Sequence, residues 1–318
     1  MTRPPYSVLE TARMRHRVLD EGSGSPVILL HGFPEGAYSW RHQVSALADA
    51  GFRAIAPEQR GYAGAEVKVP VDGYDHVELA LDVVALLDAI GVERAALVSH
   101  DWGAALAWNA ALLHPERVSS VVALSVPFGG RSPNPPIAAL KKMAGDAFFY
   151  MLYFQTPGVA EAELEADARE SLRRFYYSAS GDAPEGSLGP YPKTARLLET
   201  LRAPSKGLPK WLGEEDLQEF TRSFEASGFA GPIGWYRSMD RTWERMERFA
   251  GAKVEQPALF MAGSRDPVIM FSQRVLERMP SVVPNLARLE LMDGVGHWIQ
   301  QERPEDVSRE IIAFLKSV

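Results

Sequence analysis

Three stretches of this 318-residue chain place a chemically able side chain directly after an apolar run. In LVSHDWGAALAW, residues 97–108, the run stops at His100-Asp101-Trp102-Gly103 and passes at once into an alanine-rich helical pattern. PALFMAGSRD ends on Asp266, and ARLELMDGVGHW ends on a turn that carries His297. Carboxylate, carboxylate, histidine is an order suited to nucleophilic catalysis. One acid attacks, the second orients the histidine, and the histidine activates water. Small residues on either side of Asp101, Ser99 and Gly103, allow a tight turn that pushes its side chain outward, and a helix start favours an anion there.

The attacking group narrows the chemistry. A hydroxyl nucleophile must first lose its proton, whereas a carboxylate with an ordinary pKa of about 3.9 is ionised at neutral pH. It attacks amides poorly but can displace a leaving group at saturated carbon. The product is an alkyl ester of Asp101, which water activated by His297 must then cleave at the aspartate's own carbonyl. That hydrolysis passes through a tetrahedral oxyanion that needs hydrogen-bond donors. The backbone N–H of Trp102 is one expected donor, and the turn HGFP is expected to bring the Phe33 N–H alongside as the second. Removing one such donor typically costs about 2.7–4 kcal/mol.

Plainer readings compete at each position. Asp101 at a helix start is also a good N-cap, Asp266 before Pro267 a good turn former, and His297 an ordinary loop histidine. His31 in HGFP, His100 beside Asp101 and His114 before a proline are rival bases. Phe33, Trp102, Phe154 and Trp298 are expected to line an apolar pocket around the nucleophile, with core packing as the alternative.

The surrounding pattern says what must hold these groups. MRHRVLD reads as an edge strand, PVILLHG as a buried one, RHQVSALADAG as a helix and FRAIAPE as a strand. DHVELALDVVALLDAIG has helical spacing and a C-capping glycine. AALVS is a strand, WGAALAWNAALLHPERV a helix and SVVALSVP a strand. The alternation then stops. From about 132 to 250 there are only helical runs, including VAEAELEADARESLRRFYY and EEDLQEFTRSFEASGF, around a Gly/Pro-rich passage at 181–213. It resumes with PALFMAGSRD, a helix near 271–279, the His297 strand and a closing helix, PEDVSREIIAFLKSV. The expectation is an α/β core of residues 1–131 and 246–318 with a helical cap of residues 132–245 inserted at the ligand-binding ends of a parallel sheet.

Composition sets limits on function. A net charge of −7 gives no general electrostatic case for nucleic acid. No apolar run approaches the roughly 18–20 residues of a membrane span, and the N-terminal stretch lacks a signal-peptide core. There is no cysteine, which removes disulfides, thiolate zinc sites and a cysteine nucleophile and is compatible with a reducing compartment. The expectation is a cytoplasmic protein, monomer or homodimer, that works on a small molecule and water without metal or cofactor.

Taken together, HGFPE (31–35), RGY (60–62), HDWG (100–103), GSRDP (263–267) and GHW (296–298) resemble the soluble epoxide hydrolases of the α/β-hydrolase fold. YMLYFQTPGVAEAELE (150–165) and SGFAGPIGWYRSMDRTW (227–243) are similar to the lid of that family, and the likeness runs from about residue 15 to 315. The resemblance implies a mostly parallel eight-stranded sheet flanked by helices, a helical lid and conversion of an epoxide to a vicinal diol. It also implies that two lid tyrosines, Tyr150 and Tyr236, hydrogen-bond the epoxide oxygen and protonate the alkoxide as the ring opens. Tyr153, three residues on, is a rival for the first. Two positions depart from the pattern: Ser99 stands where glycine is usual, and Glu58 where aspartate is commoner.

Two other functions remain in view. A haloalkane or haloacid dehalogenase uses the same aspartate chemistry, but its leaving halide needs N–H donors instead of proton-donating phenols. A non-enzymatic ligand-binding protein on this fold is the rival from another class. An Asp101→Ala variant of such a protein would keep its biological effect.

Overall fold

The computed structural model describes residues 5–67, 73–184, 190–205 and 207–318. Its backbone is a nine-stranded sheet made of β1 (Tyr6–Glu10), β2 (Met14–Gly22), β3 (Ser25–Leu30), β4 (Phe52–Pro57), β5 (Ala65–Val67), β6 (Ala95–His100), β7 (Val118–Leu124), β8 (Ala258–Gly263) and β9 (Leu286–Met292). The order is β1-β2-β4-β3-β6-β7-β8-β9, with β5 paired beside β2. The expected eight strands thus form the main path, and the short β5 makes a ninth. All pairings from β4 through β9 are parallel, and those of β2 are antiparallel. Every residue of β6 and β8 is buried, as strands covered on both faces require.

Several boundaries differ from the expectation; the helix expected over WGAALAWNAALLHPERV, for one, ends at Leu113, and Val118 already belongs to β7. MRHRVLD is not at the edge, because β1 pairs outside it from Tyr6↔Leu19 to Glu10↔Arg15. Strand β1 is largely exposed and so carries no buried alternation to mark it. The run VAEAELEADARESLRRFYY is two helices, Val159–Glu165 and Ala168–Ser178, because Asp167 turns outward and caps the second at the Glu170 N–H, 2.9 Å away.

Between β7 and β8, the regular elements among the described residues are helices, apart from one isolated bridge between Ala147 and Pro192. Residues 185–189 and 206 of the Gly/Pro-rich passage lie outside the described residues. This helical segment docks on the core at several points. The Trp235 indole donates to Arg60 O at 3.0 Å, the Tyr176 hydroxyl donates to Pro34 O at 2.7 Å, and Arg245 binds the buried Asp75 carboxylate at 2.7 Å. No helix among the described residues is long and apolar enough to cross a membrane.

The strand order reverses its direction of growth between β3 and β6, since β4 follows on one side and β7 on the other. In parallel sheets this switch opens a crevice beyond the carboxyl ends of the strands. Phe33 follows β3 and Asp101 follows β6, so the two flank that crevice.

Candidate active site

Asp101 sits between β6 and the helix Trp102–Leu113 with φ 51° and ψ −120°. A side chain at positive φ stores about 1–3 kcal/mol of strain, which the surrounding packing must hold. The packing is close: a Cβ on Gly103 would lie 2.1 Å from Leu30 O, and one on Gly32 would lie 2.4 Å from the Asp101 Cβ. Ser99 fits this turn without opening it, because its buried hydroxyl donates to Val122 O on β7 at 2.9 Å.

The Asp101 side chain makes no capping bond to its own helix. One oxygen, Oδ1, accepts the Phe33 N–H at 2.9 Å, and the other, Oδ2, lies 3.7 Å from His297 Nε2. The Trp102 N–H is the first of the helix and therefore lacks an intrahelical acceptor. Asp266 does two things at once: its Oδ1 takes the Val268 N–H at 2.9 Å, as a cap does, and faces His297 Nδ1 at 3.0 Å. The three side chains come from the ends of β6, β8 and β9, at least 31 residues apart in sequence.

Burial opposes a charge on His297, but the carboxylates of Asp266, Asp101 and Glu35 outweigh it and raise its pKa to about 9. Asp266 is fully buried, which would favour its neutral form, yet the adjacent imidazole and its hydrogen bonds hold its pKa below the usual value. The rival histidines are placed otherwise. Burial lowers His31 to about 4, and its ring is used up between Gly32 O and the Gln59 N–H. His100 bridges Glu35 and the carbonyl of His297, and His114 is a partly exposed helix end.

Across the cleft, Tyr236 is buried with its ring 4.8 Å from Trp102, 4.9 Å from Phe154 and 5.5 Å from Phe33. Tyr150 opens the short helix Tyr150–Tyr153, and its ring lies 5.9 Å from Tyr236. Burial raises both phenols well above their ordinary pKa, with the Asp101 charge adding to it. They therefore stay protonated and able to donate. Tyr153 points elsewhere, its hydroxyl donating to Glu163. Phe154 is fully buried against Phe33, Tyr150 and Tyr236. Trp298 is buried behind the imidazole, 4.7 Å from its centroid, with its indole N–H on Tyr176 O. A cavity of about 260 Å³ adjoins Trp102, walled also by His76, Trp108, Val126, Phe128 and Trp243.

Several contributors escaped the sequence reading. Glu35, the last residue of HGFPE, is fully buried and accepts from Gln300 and Gln301, at 2.9 Å each, besides facing His100 at 2.7 Å. Burial opposes its charge, but the His100 imidazole outweighs this and holds its pKa low. Ser125, at φ 72°, donates to the His297 carbonyl at 3.1 Å. The one available signal was an acid inside an otherwise apolar motif. Glu58, the other departure, is buried beside Arg17 at 3.2 Å, and burial pushes its pKa up to about 7.

Comparison with known proteins gives the family. The family described as alpha/beta hydrolase fold matches residues 25–304. Epoxide hydrolase A of Mycobacterium tuberculosis is 44% identical over 99% of this chain and 98% of its own length. The chain also spans 55% of the pig (Sus scrofa) bifunctional epoxide hydrolase 2, at 36% identity over 98% of its own length. Among solved structures, Epoxide Hydrolase A from Mycobacterium thermoresistibile superposes with a TM-score of 0.92 at 45% identity, covering 98% of both chains. An epoxide hydrolase from an endophytic Streptomyces does so at 0.94 and 39%, covering 99% of this chain and 96% of that one. The chain belongs to the epoxide hydrolases of the α/β-hydrolase fold.

Proposed function

We propose that this protein hydrolyses epoxides to vicinal diols through a covalent ester on Asp101, with residues 132–245 serving as a cap over the core segments 1–131 and 246–318. The observation that carries the proposal is the split environment of the Asp101 carboxylate. Oδ1 is held by a backbone donor, and Oδ2 faces His297 Nε2 at 3.7 Å, beyond hydrogen-bond length. In this reading Oδ2 attacks an epoxide carbon. The C–O bond of the ring breaks, and Tyr150 and Tyr236 donate to the departing oxygen, one of them supplying the proton. Oδ1 becomes the ester carbonyl oxygen.

The second step uses the same geometry in reverse order. Alkylation neutralises Asp101, removing one of the anions that raise the His297 pKa. The imidazolium then gives its proton more readily, and the phenolate left by ring opening takes it, so that phenol and base are both restored. Water, activated at Nε2 while Asp266 holds Nδ1, attacks the ester carbon. The oxyanion forms at Oδ1 beneath the Phe33 and Trp102 N–H groups; as it collapses, His297 protonates the departing diol oxygen and then takes the acid proton from Asp101, regenerating the carboxylate. Phe33, Trp102, Phe154 and Trp298 make the apolar surround, and the cavity beside Trp102 takes the substituent of the epoxide. The enzyme works in the cytoplasm, with no cofactor.

A single turnover in 18O-labelled water tests this. Oxygen from Asp101 enters the first diol, so the label is expected on the enzyme. Label in the first-turnover diol overturns the covalent route. Halide release from haloalkanes, with no diol from epoxides, overturns the choice of substrate.

A further inference from the structure

Glu302 closes the short helix Ile299–Glu302, five residues past His297. Its Oε1 accepts the Trp298 N–H at 3.2 Å, and its Oε2 accepts the Gly296 N–H at 3.1 Å and the Gly181 N–H at 2.9 Å. One carboxylate therefore takes both peptide N–H groups that flank His297, together with one from the helical segment. The N–H between them, that of His297 itself, donates to Ala179 O at 2.7 Å. Three consecutive backbone donors around the base are thus fixed, one on the 179–183 segment and two on a side chain that also grips that segment.

The fit leaves no slack. A Cβ on Gly296 would lie 2.3 Å from Gly181 N and 2.4 Å from Ala179 O, and one on Gly181 would lie 2.3 Å from Gly294 O. The neighbouring acid loop is tied to the same place, since Arg265 donates to Gly181 O and Ala183 O at 2.5 Å each. A local role, capping the helix through the Trp298 N–H, would use only Oε1. The two bonds at Oε2 serve no helix.

We propose that Glu302 is a positioning residue for ester hydrolysis, holding the His297 imidazole through the peptides on either side of it and through Gly181. This rests on the aspartyl-ester reading above, in which alkylation needs Asp101 and the tyrosines while hydrolysis alone needs the base. Loss of Glu302 then slows one half-reaction and spares the other.

The test is Glu302→Gln in the full-length protein, with styrene oxide as probe and rapid quench followed by intact-protein mass measurement. Misplacing a catalytic group by an ångström costs on the order of 10²-fold, so hydrolysis is expected to slow by about tenfold or more. Alkylation should stay within about twofold, so kcat and KM fall together, kcat/KM is held, and the ester becomes the dominant species. Equal losses in kcat and kcat/KM without ester accumulation, as from a smaller folded fraction, overturn the proposal, and so does wild-type behaviour. If Glu302→Gln does not fold, Glu302→Asp is measured in its place. It keeps the charge but is one methylene too short to reach all three donors, and it should show the same split at smaller size. Parallel loss, or no change, in that variant overturns the proposal. Wild-type enzyme that turns over styrene oxide without ever showing an ester would instead overturn the covalent mechanism itself.

Discussion

The two walls of the cleft are built from different interactions. On the sheet side, Asp101, Asp266 and His297 are held by charge and hydrogen bonds, with Glu35, His100, Ser125 and Glu302 behind them. On the helical side, Tyr150, Tyr236 and Phe154 are held by edge-to-face aromatic contacts, each worth about 0.5–1.5 kcal/mol beyond area burial. Directional bonds suit groups whose protonation must change on cue. Aromatic packing suits phenols that must keep their protons until the ring opens and yield to the shape of a substrate. Substitutions on the sheet side should therefore alter which step is slow, and those on the helical side should alter how well the epoxide oxygen is met.

The sharpest break is at Asp101. Its replacement by alanine should remove diol formation by at least about 10⁴-fold, as loss of a nucleophile does elsewhere, with an unchanged circular dichroism spectrum. Residual turnover near wild type would end the nucleophile assignment. His297→Gln comes next. The variant should form one equivalent of ester and stall, with steady-state turnover down by about 10²–10⁴-fold and the ester visible in the intact mass. A variant that stalls before any ester forms would place His297 in the first step instead.

On the opposite wall the effects should be smaller and additive in kind. Tyr236→Phe and Tyr150→Phe should each slow alkylation by about 10–10²-fold, below the cost of an oxyanion-hole donor because the partner phenol remains. Tyr153→Phe should leave alkylation unchanged, since that hydroxyl is spent on Glu163. Rapid-quench rates of ester formation distinguish these outcomes.

The smallest effect expected is a titration shift. With its pKa raised to about 9, the His297 imidazolium contributes stability that is fully present below its unfolded value of about 6.5 and is lost as pH rises through about 9. The melting temperature of the wild type should therefore fall more between pH 7 and pH 10 than that of His297→Gln. Asp101→Asn removes an anion that favours the charged ring, so the His297 resonance should titrate at lower pH. An unchanged or higher value would show that Asp101 does not act on the imidazole.

Legibility in the sequence followed chain distance. The residues at strand ends stood out because each is announced by its own neighbours: an apolar run before it, and a glycine or proline within two residues of it. The α/β alternation and the helical insertion were readable for the same reason. Glu35, Ser125, Arg265 and Glu302 were not, because what gives each its place is a contact 65 to 266 residues away for Glu35, 172 for Ser125, 82 and 84 for Arg265, and 121 for the Glu302 bond to Gly181. Strand β1 was missed because an exposed edge strand lacks a buried face. Tyr150 and Tyr153 could not be separated by helical spacing, and the difference lies in Glu163 claiming one of them.

Phe33 meets both walls in a single residue. Its backbone N–H holds the Asp101 carboxylate, and its ring packs edge-on against Phe154, Phe175, Phe224, Phe229 and Tyr236, all from the helical segment. Remodelling that aromatic cluster to admit a bulkier epoxide also moves the peptide that steadies the Asp101 carboxylate. Substrate range and turnover are thus not free to evolve separately here. Variants selected for a new substrate at Phe154, Phe224 or Phe229 will need a compensating change around the Phe33 turn before their rate recovers.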